Sequence, residues 1–188
     1  MTIQTTSPVA KNGVDLEALL WARQALTDEP AAAQFIWRAR CEWLEGTHSR
    51  STVTGFYGLC DEHVRKAPHR IEADHPEQFA APDLGATPVE IMLSALASCL
   101  TAGVATVAEN RNVTLRSVAA TVEGDMNLQG ILGIDPGVRN GFSAIRVSFE
   151  IDADATREEI AGIVAQSQKR SALFDIITNP TAVTVSVD

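Results

Sequence analysis

The groups in this sequence that could do chemistry are three cysteines, four histidines and a scatter of arginines and carboxylates. The cysteines are Cys41, Cys60 and Cys99, and the histidines are His48, His63, His69 and His75. An odd cysteine count with this spacing matches neither a zinc pattern nor a disulfide scaffold, and it suits a reducing, cytoplasmic compartment. The histidines have no helical i, i+4 pairing and no carboxylate pattern beside them, so they read as solvated or structural loop residues and no metal is expected. A phosphate-binding glycine loop, HExxH, GxSxG and CxxC are all missing, so no cofactor is expected either. Cys41 lies on a strand face between two tryptophans and Cys60 in a charged loop; both read as structural. Cys99 is the one thiol whose placement is informative. Deprotonated, it would be a nucleophile; protonated and buried, it would simply fill space, the commoner role of a free cysteine.

Cys99 is carried by the clearest local signal in the chain. Thr87-Pro88-Val89-Glu90 supplies an N-cap residue, a proline at the first helical position and a glutamate at N3, a capping box with a pre-set first turn. The helix it opens runs to about Asn110 and is apolar nearly all round, which places it in the middle of a fold. On its wheel Cys99 shares a side with Met92, Ala95, Gly103 and Thr106, away from the bulky Val89, Leu93, Leu96, Leu100, Val104 and Val107. The thiol therefore faces small residues that let another element come close. Ile91 to Ala108 is an uncharged run of 18 residues, the lower limit for a membrane span. It is rich in Ala, Ser and Thr and is flanked by Glu90 and Glu109 rather than by Lys, Arg, Trp or Tyr, so it reads as a core helix, with no membrane partner.

The elements around it follow from periodicity. The first eleven residues are polar and read as disordered. Val14 to Thr27 reads as an amphipathic helix, with Leu16, Leu19, Leu20 and Trp21 near one face, packed on the main domain as an N-terminal extension. Gln34 to Leu44 alternates with period two, Phe35, Trp37, Ala39, Cys41 and Trp43 facing inward: a half-buried strand. Glu45 to His48 is a hairpin turn, and Ser51 to Tyr57 a strand pairing back. Cys60 to Pro82 is charged and reads as a short strand near Arg70 to Ala73 followed by a long loop. Val113 to Asp125 and Phe142 to Ile151 are strands, joined by a glycine-rich connection holding Gly130, Gly133, Gly137 and Gly141. Asp154 or Thr156 caps a helix to about Arg170, and Thr156-Arg157-Glu158-Glu159 again reads as a capping box. A short helical piece, Ala172 to Thr178, follows, and Val183, Val185 and Val187 read as a closing strand. Antiparallel strands with segregated helices make an α+β fold. The length of 188 residues suits one main domain, residues 33–188, behind an extension over residues 1–32. The formal net charge of −9 argues against a nucleic-acid partner.

The run Thr87 to Leu100, in which a proline and an acid open a helix that reaches a small-small-Cys step at Ala97-Ser98-Cys99, resembles the central helix of the OsmC/Ohr family. Ser171-Ala172-Leu173-Phe174-Asp175, followed by Pro180 and Val-x-Val-x-Val, is similar to that family's second motif. The resemblance covers roughly Ile36 to Asp188. It implies an OsmC-like fold in an intertwined homodimer, with two central helices side by side and two sites at the subunit interface. In the family's peroxidases the central-helix cysteine attacks an organic hydroperoxide and a second cysteine resolves it. An arginine from the first hairpin holds the thiolate, and a glutamate near the helix start orients the arginine.

Transferred residue by residue, the nucleophile is Cys99, the arginine Arg50 and the candidate orienter Glu90. The chain departs from the pattern in two places. The position matching the resolving cysteine is Ser171, and no cysteine follows Cys99. The position directly after the motif proline is Val89, with Glu90 one residue later, about 100° around the helix and nearly opposite Cys99. Capping is thus the plainer role of Glu90. Arg38 and Arg40 read as solvated. A thiol near its reference pKa of about 8.5 is mostly protonated at neutral pH, and the helix dipole does not reach this far along the helix, so reactivity requires a cation from elsewhere. Two functions are therefore expected to compete. One is a one-cysteine hydroperoxide reductase that uses an external thiol. The other is a non-catalytic relative binding a small apolar ligand at a dimer interface. A structural dimerisation module is a weaker third.

Overall fold

A computed structural model describes residues 10–187. They form two compact units, residues 17–92 and residues 93–187 with residues 10–16.

In the first unit, helix α1 (Leu16–Asp28) is stopped by a single 3-10 turn at Pro30–Ala33 and carries no buried residue. A sheet follows, made of β1 (Ile36–Trp37), β2 (Arg40–Glu45), β3 (His48–Gly58) and β4 (Asp61–Ala73). β3 is the central strand: β1 and β2 pair with it antiparallel along one side, and β4 along the other. The turn between β2 and β3 is the expected one, with Gly46 at φ +56° and Glu45 opposite His48.

Three expectations need correction here. The single strand over Gln34 to Leu44 is broken at Arg38 and Ala39, because β3 is irregular opposite them around Gly55. A Cβ at Gly55 would lie 2.3 Å from the carbonyl oxygen of His63, so glycine permits the close approach that distorts the ladder. The intended inward face is also not covered within this unit: Trp37 and Trp43 are 66% and 73% exposed. Phe35, Trp37 and Phe56 instead pack on one another, with the Trp37 and Phe56 rings 4.8 Å apart. Finally, the strand expected near Arg70 to Ala73 is there and is followed by the expected loop, but it begins far earlier, at Asp61, as strand β4, 13 residues long. Its register slips between Val64 and His69, and Pro68 sits in that unpaired stretch, where its missing N–H costs nothing. His48, His63 and His69 are consequently strand residues; only His75 lies outside a strand.

Helix α2 (Pro88–Asn110) begins with the expected capping box and crosses from one unit into the other. It is the one described helix long and apolar enough to cross a membrane by length and composition. Its buried residues are Leu96, Leu100, Val104 and Ala108, a stripe at i, i+4 spacing. The expected burial on several sides is therefore narrowed to one face within this chain.

In the second unit β5 (Leu115–Asp125) and β6 (Ala144–Ala153) form an antiparallel pair, with Val118 opposite Ile151 and Ala120 opposite Phe149. The connection between them holds a short helix, α3 (Leu128–Ile131), capped by Asn127. Helix α4 (Arg157–Lys169) starts at the predicted Thr156 capping box, and α5 (Ala172–Thr178) follows directly. Val104 and Ala108 of α2 and Ile163 of α4 are the core, with Val118, Phe149 and Ile151 of the sheet packed against them. The segment Lys11–Asn12 is tied to this core. Both backbone N–H groups donate to the Glu109 carboxylate, and the Asn12 side chain bonds Val113 O and Leu115 N. The rest of the expected disordered stretch lies in residues 1–9, outside the described residues.

The closing strand is a further correction. Val183, Val185 and Val187 are irregular, and Val185 is 88% exposed. A strand needs a neighbouring edge for its backbone groups, and none of the described strands of this chain pairs with that segment.

Candidate functional site

Cys99 lies in the middle of α2, one residue before the buried Leu100, so it stands at the margin of the buried stripe and is half-buried. The neighbouring elements on that side come close because its residues are small, as expected from the wheel. A Cβ at Gly103 would lie 2.2 Å from Ser167 Oγ, and that hydroxyl donates to Leu100 O at 2.8 Å. One helical turn on from Ser167, the chain passes from α4 into α5 at Ser171, which is 6% exposed. Ser171 Oγ donates a hydrogen bond to Cys99 Sγ at 3.2 Å and accepts one from Phe174 N at 3.1 Å. Beside it a groove of about 360 Å³ is lined by Gln168, Lys169, Ser171, Phe174, Asp175 and Asn179, among others.

The other candidate residues belong to the first unit. Arg50 is on β3 directly opposite Glu72 of β4. Arg50 Nε donates to Glu72 Oε1 at 2.6 Å, and His48 Nε2 lies 2.8 Å from Glu72 Oε2. The hydrogen bond from Arg50, then that of His48, holds the Glu72 carboxyl below its ordinary range. Asp74, two residues on and 1% exposed, accepts from Thr47 Oγ1 at 2.6 Å and from the N–H groups of His75 and Leu84. Those bonds, the Thr47 hydroxyl first, hold it low as well. The hairpin that presents Arg50 is thus pinned at its turn by a buried carboxylate.

Glu90 is occupied otherwise. Its Oε2 accepts from Thr87 N at 2.8 Å and from Thr87 Oγ1 at 2.7 Å, and these bonds keep its carboxyl low. The capping role read from the sequence is the one its contacts show. Arg38 bonds Glu62 through both terminal nitrogens, and Arg40 bonds Glu42. The residues the sequence reading missed are Glu72, Asp74 and the hydroxyl role of Ser171. Glu72 could have been found once β4 was paired with β3 in register, since it lies 24 residues along the chain from His48 and meets it only across the strands. Among the described residues no group of three or more His, Cys, Asp or Glu side chains could hold a metal ion.

An antiparallel α+β fold organised on a capped helix that carries one cysteine is the class of protein these observations define. The family model for OsmC-like protein matches residues 81–186, more than half of the chain, and this chain belongs to that family. Its fold is similar to that of an OsmC-like protein from Mycoplasma pneumoniae, with a TM-score of 0.59 and 18% identity over 77% of this chain and 89% of that one. An organic hydroperoxide resistance protein OsmC from Legionella pneumophila matches with a TM-score of 0.51 and 14% identity, over 76% of this chain and 90% of that one. One from Elizabethkingia anophelis, an organic hydroperoxide resistance protein, matches at 0.51 and 12% identity, over 77% and 91% respectively. At these identities the likeness is one of fold. No curated protein matches the sequence.

Proposed function

We propose that this protein reduces organic hydroperoxides in the cytoplasm through Cys99 and so protects against oxidative stress. The observation that carries the reading is the position of Cys99. Its thiol sits at the margin of the core stripe of the family's central helix, half-buried and hydrogen-bonded, rather than packed away like Val104. The Cys99 thiolate attacks one oxygen of the hydroperoxide. The S–O bond forms as the O–O bond breaks, the alkoxide leaves and takes a proton to become the alcohol, and sulfur is oxidised by two electrons to a sulfenic acid. No cysteine follows Cys99. An external thiol therefore condenses with the sulfenic acid, releasing water and leaving a mixed disulfide. A second thiol breaks that disulfide and restores Cys99.

Arg50 is the proposed cation for the thiolate. With Glu90 engaged by Thr87, the role of orienting Arg50 passes to Glu72, which already holds it. The active form proposed is a homodimer, in keeping with the exposed Trp37, Trp43, Val183 and Val185 of the single chain. The formal charge of −9 speaks against a nucleic-acid partner.

The test is the rate at which an organic hydroperoxide oxidises Cys99 at neutral pH, read by mass spectrometry with a dimedone-type trap and with Arg50→Ala alongside. Oxidation far faster than that of a free thiol, and slowed by the substitution, is the expected result. A rate no faster than free cysteine ends the peroxidase reading. It would favour the second reading, a ligand-binding relative, to which the serine at the second motif already lends support.

A further inference from the structure

We infer that Ser171 is itself a catalytic residue: its buried hydroxyl donates the hydrogen bond that stabilises negative charge on the Cys99 sulfur. The inference rests on the reading of Cys99 as the reactive thiol. A serine where a second cysteine would resolve the first looks, by sequence, like a loss of function. The geometry gives it a different task.

A serine hydroxyl has one proton and two acceptor lone pairs. At Ser171 the Phe174 N–H occupies one lone pair. That bond fixes where the oxygen sits and leaves its proton free to point elsewhere. The proton's partner is Cys99 Sγ, 3.2 Å away. The backbone N–H of Ser171 is tied to Gln168 O at 3.2 Å, so the residue is held from both ends. Being 6% exposed, the hydroxyl has little water to compete for its proton. A sulfur-bound proton has no need of a donor, whereas negative charge on the sulfur gains from one. Cys41 also receives serine hydroxyls, from Ser51 and then Ser49, which hold its thiol low, but it is exposed, so there water competes for the same protons.

The arrangement also accounts for a one-cysteine cycle. In the two-cysteine scheme the neighbour at this position is consumed as a nucleophile. A hydroxyl cannot displace the sulfenic oxygen, so it is not consumed. It stays as a donor through attack, and the sulfenic acid persists until an external thiol arrives.

The measurement is the rate at which iodoacetamide alkylates Cys99, read on its own peptide between pH 6 and pH 10, for the intact protein and three variants. With Ser171→Ala, the rate at pH 7 falls about tenfold and the deficit shrinks to about twofold or less at pH 10, where the thiolate forms without help. Ser171→Thr, which keeps the hydroxyl, stays within about twofold of the parent throughout. A loss of packing or of the Phe174 cap would lower or raise the rate alike at every pH, so the convergence of the profiles at high pH is the signature of the donor. Superimposable profiles for Ser171→Ala and the parent overturn the inference.

The third variant tests the geometry without the hydroxyl, and decides the matter if Ser171→Ala does not fold. In Ser171→Cys, one equivalent of an organic hydroperoxide converts Cys99 to the sulfenic acid. The new thiol then attacks it, releasing water and forming an internal disulfide, which lowers the mass by two hydrogens and suppresses the dimedone adduct. Persistence of the adduct in that variant shows that position 171 does not face the sulfur, and overturns the inference. If the parent protein forms no adduct with hydroperoxide, the peroxidase reading falls, and the alkylation profiles still decide what Ser171 does to the thiol.

Discussion

Both units carry exposed ion pairs across their sheets, Arg116–Asp152 and Arg146–Asp125 in one and Arg38–Glu62 and Arg50–Glu72 in the other, but they bury polar groups differently. In residues 93–187 the buried hydroxyls of Ser167 and Ser171 bond to groups on α2, inside a layer of helices on a two-stranded sheet. In residues 17–92 the polar bonds run across an open sheet: Arg38 to Glu62, Arg50 to Glu72 and His48 to Glu72, with only Asp74 fully enclosed. Buried hydrogen bonds rigidify because the alternative is an unsatisfied group, whereas exposed ion pairs are screened and contribute little each. The proposed nucleophile therefore sits in the unit where position is over-determined. The proposed cation sits on a hairpin held by a few charged groups and one buried carboxylate.

The comparison is sharpest in activity. Cys99→Ser should lower hydroperoxide consumption in the presence of a dithiol to the uncatalysed level. Cys41→Ser and Cys60→Ser should keep it within about twofold, because both thiols lie outside the proposed chemistry. Loss of activity on replacing either of those two would break the assignment. In stability, Ile163→Ala removes a side chain that is 1% exposed and should cost about 3 kcal/mol in urea unfolding, while Val64→Ala, at 87% exposed on β4, should stay within about 0.5 kcal/mol. Equal costs would erase the contrast between the units.

A smaller effect is expected at Gly103. Its missing Cβ makes room for Ser167, so Gly103→Ala must displace that hydroxyl and should cost about 1–3 kcal/mol despite the better helix propensity of alanine. The smallest effect concerns acid. Asp74 in the folded chain lies below its ordinary value of 3.8, so it contributes stability above that value and loses it as pH falls through the lower folded value. Asp74→Asn should therefore flatten the fall in urea midpoint below about pH 4. An unchanged acid limb would mean that the pinned hairpin draws nothing from this carboxylate.

The helices were legible because their signals are local. A cap, a proline and an acid within four residues define the start of α2, and Thr156 with Glu159 defines α4. The period-two faces of β5 and β6 were legible for the same reason, with Val118, Val122, Val147 and Ile151 all on the shielded side. β4 before Arg70 was not, since a charged strand exposed along nearly its whole length carries no apolar alternation, and its pairing with β3 is a long-range fact. The terminal valines show the converse: perfect alternation in a segment that no described strand of this chain pairs with.

At the site, the residue types, the capped helix and the small side around Cys99 follow from the sequence alone, because a helical wheel is arithmetic on positions. What Ser171, Glu72 and Glu90 each hold does not follow from it. Ser171 lies 72 residues from Cys99 and Glu72 lies 22 from Arg50, so only the packing of α4 and α5 beside α2, and the register of β4 on β3, decide those partners. Hydrogen bonds are satisfied over about 3 Å of space, whatever the distance along the chain.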